Sequence, residues 1–112
     1  MLVEEAAITV LDSVIENNFI YGIKLVNSDS ELSGDVFRNP PISTDDASYE
    51  VRNPRSLELI NSNPSLTNST FENSYYGIYV SAGDCPDVSE VNFNSNTYDV
   101  WPDECAADET PL

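Results

Sequence analysis

Short alternations of apolar and polar residues recur along the chain, and each is followed by a cluster of Asn, Ser, Gly or Asp. Residues 15–28 read IENNFIYGIKLVNS, residues 71–81 read FENSYYGIYVS, and residues 57–62 read LELINS, close to IKLVNS at 23–28. Alternation with a period of two is typical of strands, and no stretch sustains a helical period. The pattern therefore predicts many very short strands separated by turns.

Aligning these segments produces four columns of apolar residues. Two columns share steps of 22, 34 and 22 residues: Ile15, Phe37, Phe71 and Phe93, and Val10, Leu32, Leu66 and Val88. Two more follow at Ile23, Leu57, Ile78 and Val100, and at Leu25, Leu59, Val80 and Pro102. The long step is 22 plus 12, and the twelve extra residues fall within 40–56. A unit of about 22 residues cannot bury its inward side chains alone, so we expect successive units to stack as a parallel β-helix.

The segments IENN and FENS, each followed by Y-G-I-x-[LV], resemble the repeats of the pectate-lyase-like superfamily over residues 8–102, apart from the insertion. The second and fourth repeats depart from this pattern, with Ser56-Leu57 and Asp99-Val100 in place of Gly-Ile. The resemblance implies an all-β fold, a right-handed single-stranded parallel β-helix (solenoid) of about four coils. The four coils would span residues 8–29, 30–63, 64–84 and 85–105. The second coil would contain the insertion at 40–56, and a tail would follow at 106–112. Residues 1–112 would form a single domain or a fragment.

Several polar and aromatic residues also fall into columns. Asn17, Asn39, Asn73 and Ser95 share one turn position, where Asn tolerates left-handed backbone angles and its amide can bond to neighbouring coils. Gly22 and Gly77 suit a tight corner. Tyr21, Tyr76 and Tyr98 are expected to stack one strand spacing apart.

One outward row stands out as a candidate binding surface. Lys24, Glu58, Tyr79 and Trp101 lie between two inward columns, so they should face outward on one sheet. The insertion, with Arg52 and Arg55, would overhang this face. Aromatic rings beside charged groups suit a groove for an extended glycan. The alternative is packing, with residues 102–112 folding over Trp101.

Composition excludes several classes of function. The chain has 112 residues with 20 acidic and 4 basic side chains, and its formal net charge of −16 disfavours nucleic acid and anionic lipid as partners. Without His, no Ser-His or Cys-His pair and no imidazole zinc ligand can form. No window approaches 18 apolar residues, so no membrane insertion is expected.

Carboxylates and cysteines suggest two further features. Asp45, Asp46, Asp84 and Asp87 could supply oxygen ligands to Ca²⁺, although a solvated acidic surface also accounts for them. No other cofactor is expected. Cys85 and Cys105 are 20 residues apart and are expected in corresponding loops of adjacent coils, as a disulfide or as free thiols. Asn68-Ser69-Thr70 is a formal glycosylation sequon.

Together these features predict an extracellular or cell-surface module that is carbohydrate-interacting or structural and adhesin-like. No catalytic constellation is visible, so enzyme activity is not expected of this chain alone. The alternative is part of a polysaccharide lyase or another glycan-active enzyme whose catalytic groups lie mostly elsewhere. Expected partners are a polysaccharide or cell-surface glycan, and further β-helix coils or a capping partner, because exposed ends of a stack would otherwise aggregate.

Overall fold

The structure, a computed structural model, describes residues 1–16, 21–39 and 54–106, which form three parallel sheets and one short helix. In order of pairing, sheet A contains β1 (Leu2–Glu4), β4 (Tyr21–Val26), β7 (Arg55–Ile60), β10 (Tyr76–Ala82) and β12 (Tyr98–Trp101). Sheet B contains β2 (Thr9–Leu11), β5 (Glu31–Ser33) and β8 (Ser65–Thr67). Sheet C contains β3 (Val14–Glu16), β6 (Val36–Arg38), β9 (Ser69–Glu72) and β11 (Val91–Asn94). Helix α1 (Asp103–Ala106) follows β12. The protein is all-β, as the sequence predicts.

The strand register confirms the alignment of the repeats. In sheet C, Ile15 pairs with Phe37, Phe37 with Phe71, and Phe71 with Phe93. Sheet B pairs Val10 with Leu32 and Leu32 with Leu66, while sheet A joins Ile23, Leu57, Ile78 and Val100. Through its first nine strands the chain runs from sheet A to B to C and back to A, so strands from successive repeats become neighbours.

The inward columns form one hydrophobic core between the sheets. Phe37 and Phe71 are fully buried and stack with ring centroids 4.6 Å apart, and Phe93 continues the stack 5.7 Å from Phe71. The buried aliphatic residues from sheets A and B pack against this aromatic stack: Val3, Ile23, Leu25, Leu32, Leu57, Leu59, Leu66, Ile78, Val80 and Val100. Each repeat thus contributes only a few side chains, and the core exists because the repeats stack.

The bends between sheets use left-handed residues that recur at equivalent positions. Between sheets A and B they are Glu5, Asn27 and Asn61, and Gly83 takes the corresponding position after β10. Between B and C they are Asp12, Gly34 and Asn68, and between C and A they are Asn73 and Ser95. Their φ angles lie between 48° and 104°. At most of these bends the backbone N–H donates to a carbonyl of the following repeat, as Asn61 does to Ala82 at 2.7 Å. The parallel hydrogen bonding therefore continues through the corners.

The predicted asparagine ladder is confirmed for Asn39 and Asn73. The Asn39 side-chain amide donates to the Asn73 carbonyl at 3.3 Å, and the Asn73 amide donates to the Asn39 carbonyl at 3.1 Å. Ser95 takes the left-handed conformation expected at this position. Asn17 lies outside the described residues.

The prediction that Gly22 and Gly77 form corners is wrong, because both are second residues of strands in sheet A. A Cβ on Gly77 would lie 2.6 Å from the carbonyl oxygen of Asp99 and 3.4 Å from the Phe93 ring. Gly77 is therefore required by the close approach of β12, and not by a positive φ.

The two ends of the stack differ from the sequence alignment. Strand β1, which precedes the recognised repeats, pairs with β4 and buries Val3 beside Leu25. At the other end, Val88 is buried without being in a strand, and Pro86, two residues before it, cannot donate a ladder hydrogen bond. Pro102 likewise lies beyond the end of β12.

Strands β1, β2 and β3 are the outer strands of their sheets at the amino-terminal end of the stack. Leu11 and Val14 there keep 56% and 52% of their surface exposed.

The described ranges contain no helix long and apolar enough to cross a membrane.

Asp35 is a charged group placed inside the corner between sheets B and C. Its side chain is 0% exposed; Oδ1 accepts the Ser13 N–H at 2.9 Å, and Oδ2 is buried with no hydrogen-bond partner. Burial raises the pKa of Asp35 above its ordinary value, the Ser13 hydrogen bond opposes this rise, and the nearby Asp12 charge adds to it. The folded state thus favours protonated Asp35 more than the unfolded state does.

The stacked phenylalanines give the first testable prediction. Phe71→Ala removes the central ring of the sheet C stack, and we expect a loss of about 3–5 kcal/mol in the free energy of unfolding. The exposed neighbour Asn92→Ala is the matched control and should stay within about 0.5 kcal/mol of the parent protein. Urea denaturation measures both. Equal losses in the two variants would show that the ring stack is not the core of the fold.

A second prediction concerns pH. Asp35→Asn keeps an oxygen acceptor for Ser13 and removes the buried charge, so it should raise stability at pH 7. Because the pKa of Asp35 is raised on folding, the parent should gain stability relative to this variant as the pH falls through that raised pKa. Thermal melts at pH 7 and pH 4.5 measure the difference, with the exposed Glu31→Gln as control. An Asp35→Asn variant less stable than the parent at both pH values would contradict the prediction.

Candidate functional site on the outer face of sheet A

Sheet A brings the predicted outward row together. Lys24 is in register with Glu58, Glu58 with Tyr79, and Tyr79 with Trp101. Most of their immediate neighbours along the strands, among them Leu57 and Ile78, are fully buried. The four residues thus form one row across four adjacent strands, on the side of the sheet away from the core.

A second row begins each of these strands. Tyr21 and Tyr76 are both in register with Arg55, and Tyr76 is also in register with Tyr98. The Tyr76 and Tyr98 rings stack at 5.4 Å, as the sequence predicts for this column. Arg55 takes the tyrosine position in β7.

The two rows meet although they are three residues apart along each strand. Strict alternation would place such residues on opposite faces. However, two buried residues in succession lie between the rows, Gly77 and Ile78 in β10, and the Tyr76 and Tyr79 rings contact at 4.8 Å. Both rows therefore contribute to one surface.

We name this surface the sheet A face and define it by seven residues: Lys24, Arg55, Glu58, Tyr76, Tyr79, Tyr98 and Trp101. Its aromatic part is continuous, because the Trp101 ring lies 5.3 Å from Tyr98 and 5.9 Å from Tyr76. Its aromatic side chains are partly exposed. Aromatic rings in this state present both an apolar surface and polar atoms to a ligand.

Glu58 is the electrostatic centre of the sheet A face. It is only 8% exposed, and its carboxylate oxygens lie 3.7 Å from Lys24 Nζ and 3.7 Å from Arg55 Nε. Arg55 also lies over the Tyr79 ring, with 4.6 Å between Cζ and the ring centroid. The seven residues that define this face thus contain two cations and one anion, in a chain whose net charge is −16.

The Tyr76 phenol remains neutral in this setting. Burial raises its pKa above the ordinary value, neighbouring Tyr75, Tyr79 and Tyr98 contribute to the rise, and Arg55 opposes it. At neutral pH the Tyr76 hydroxyl can therefore donate as well as accept hydrogen bonds.

Arg55 shows where the prediction from sequence was incomplete. The sequence pattern places Arg55 in the insertion, but in the structure Arg55 is the first residue of β7. The alignment contains the missing signal, because Arg55 precedes Leu57 by two residues, as Tyr21 precedes Ile23 and Tyr76 precedes Ile78. Arg52, Asp45 and Asp46 lie outside the described residues.

Asp84 and Asp87 take part in different local contacts. Asp84 lines a shallow cavity of about 240 Å³ with Asp29, Asn61 and Asn63. Asp87 accepts the Ser89 N–H at 2.9 Å, and this bond lowers the pKa of Asp87. Within residues 1–16, 21–39 and 54–106, no three acidic, Cys or His side chains are grouped so as to hold a metal ion. Calcium binding stays a prediction.

The structure joins Cys85 and Cys105 in a disulfide, with Cα atoms 5.3 Å apart. Cys85 lies in the segment after β10, as expected, but Cys105 lies in helix α1 and not in a loop. Cys105 is buried in the core, and the helix packs against β12. The bond thus fixes the carboxyl-terminal end of the stack next to the strand that carries Trp101.

Comparison of the chain with protein-family models, curated proteins and solved structures finds no match.

The disulfide gives a third prediction. The double variant Cys85→Ser, Cys105→Ser should lose roughly 3 kcal/mol of stability, the value expected for a closed loop of this size. Urea denaturation with and without a phosphine reductant is the measurement. The parent should lose stability on reduction, while the double variant should not respond to the reductant. A parent unaffected by full reduction would contradict a stabilising role.

Proposed function

We propose that this chain is a right-handed single-stranded parallel β-helix module, related to the pectate-lyase-like superfamily, that binds carbohydrate through the sheet A face. The observation that carries the binding proposal is the continuous group of Tyr76, Tyr79, Tyr98 and Trp101 beside the Lys24–Glu58–Arg55 charges. The fold supplies a rigid surface of adjacent strands.

The strand topology supports the β-helix proposal. Strands of all three sheets pair in parallel, with repeat steps of 22 and 34 residues in sheets B and C, and the chain visits sheets A, B and C in turn through its first nine strands. Crossovers between parallel strands of one sheet are right-handed in about 98% of cases. A chain that turns the same way at each corner then forms a right-handed coil.

The chemistry of the sheet A face supports a sugar as the ligand. Ring faces of Tyr and Trp stack on the C–H surfaces of sugars, and charged groups with several donors or acceptors bind hydroxyls. Lys24 and Arg55 supply donors, Glu58 supplies acceptors, and the neutral Tyr76 hydroxyl supplies both. These groups lie on strands, and therefore little ordering is needed when a ligand binds.

An extracellular or cell-surface location follows from the same proposal. Disulfides persist in oxidising compartments, and here both cysteines of the chain form one. The open edges of β1, β2 and β3, with exposed Leu11 and Val14, suit further β-helix coils or a capping partner, because such an occupant can offer three parallel strands at once.

Trp101 provides a direct test, since it is the only Trp in the chain. Fluorescence is recorded while cello-oligosaccharides, xylo-oligosaccharides and oligogalacturonides are added. We expect a spectral shift with at least one of them. Tyr79→Ala should weaken binding about tenfold, because loss of a stacking ring costs on the order of 1 kcal/mol or more.

Calorimetry extends the test to Trp101→Ala, which lacks the reporter and should also bind more weakly. Asn92→Ala, on sheet C, is the matched control and should bind like the parent. A spectrum unchanged by every oligosaccharide, together with no heat of binding, would favour a purely structural or adhesin-like spacer.

A further inference from the structure

The sequence contains one acceptor motif for N-linked glycosylation. Among the twelve Asn residues of the chain, only Asn68 is followed by any residue other than Pro and then by Ser or Thr, in Asn68-Ser69-Thr70. Asn63-Pro64-Ser65 has the same outline, but proline at its centre excludes it. The position of Asn68 in the fold decides whether the folded protein can carry a glycan there.

Asn68 lies at the corner between sheet B and sheet C. It is the single residue between β8 and β9, has a left-handed φ of 50°, and is exposed. The preceding repeat places Gly34 at the equivalent corner, with a φ of 68°. Asn68 itself is exposed, so its side chain is open to solvent and is not part of the core.

The hydrogen bonds that hold this part of the fold use the Ser69 hydroxyl and the Thr70 backbone, and not the Thr70 side chain. Ser69 is buried, and its hydroxyl donates to the Thr67 carbonyl at 3.2 Å. The Thr70 backbone N–H donates to the Asp35 carbonyl at 2.9 Å. A variant that changes only the Thr70 side chain therefore removes the motif and keeps these backbone bonds.

The disulfide provides independent support. Disulfides form in the oxidising compartments through which secreted proteins pass, and surface loops of secreted proteins are where this modification occurs. The Cys85–Cys105 disulfide and the sequon are thus both typical of proteins that pass through the secretory pathway.

We propose that Asn68 is a site of N-linked glycosylation, with the glycan on the corner between sheets B and C. This inference goes beyond carbohydrate binding. Asn68 belongs to neither sheet A nor its connections, so a glycan there leaves the sheet A face open.

The test is secretion of the full chain from a eukaryotic host, followed by intact mass measurement before and after treatment with an endoglycosidase. The parent should carry one enzyme-removable glycan, and peptide mass spectrometry should locate it on Asn68. Thr70→Val should lose the glycan completely. Valine keeps the branched shape that suits a strand, so its melting temperature should match that of the enzymatically deglycosylated parent.

Asn61→Gln is the matched control, because Asn61 is also exposed and left-handed but has no sequon. It should keep the glycan. A secreted, disulfide-bonded parent with the mass of the bare polypeptide would overturn the proposal. A glycan that persists in Thr70→Val would overturn it too. Neither result depends on whether the sheet A face binds sugar.

Discussion

Parallel, in-register stacking of the repeats is the constraint on which the structure depends. Paired residues are 21, 22 or 34 positions apart along the chain, as Phe37 lies beside Phe71 and Asp12 lies near Gly34. A column must therefore be chemically compatible along its whole length. Apolar columns face inward, and their side chains gain burial only because a neighbouring repeat covers them. This is why 40% apolar residues are enough for a continuous core.

The same constraint explains the abundance of Asn, Ser and Asp. The chain must bend between very short strands while its backbone keeps bonding to the next repeat. Left-handed residues make these bends, and Asn and Gly adopt that conformation most readily. The mutual amide bonds of Asn39 and Asn73 show that a corner can also bond through its side chains. Asp35 occupies a position that holds the uncharged residues Ser13 and Ser69 in the neighbouring repeats. Its carboxylate is buried there, and one of its oxygens has no hydrogen-bond partner.

Much of this arrangement can be predicted from sequence because it is periodic. The columns through Ile23 and Phe37, and the outward row at Lys24, follow from spacing and alternation alone. Departures from the period could not be predicted. Gly77 is required by the approach of the β12 backbone, which no local pattern reveals. Strand β1 is only three residues long and lacks the following turn motif. Arg55 is a different case, because it keeps the period two residues before Leu57 and is hidden only by the assignment of residues 40–56 to the insertion.

The site depends on how charge is distributed over a strongly acidic chain. Loss of hydration makes an isolated buried carboxylate costly, and yet Glu58 is buried between Lys24 and Arg55. The two cations thus offset the buried carboxylate beside the aromatic rings. Four strands about 4.8 Å apart carry the outward row over roughly 14 Å. A ligand that contacts both Lys24 and Trp101 must therefore be extended. If the proposed carbohydrate binding uses the whole row, the length of the row favours an oligosaccharide over a single sugar.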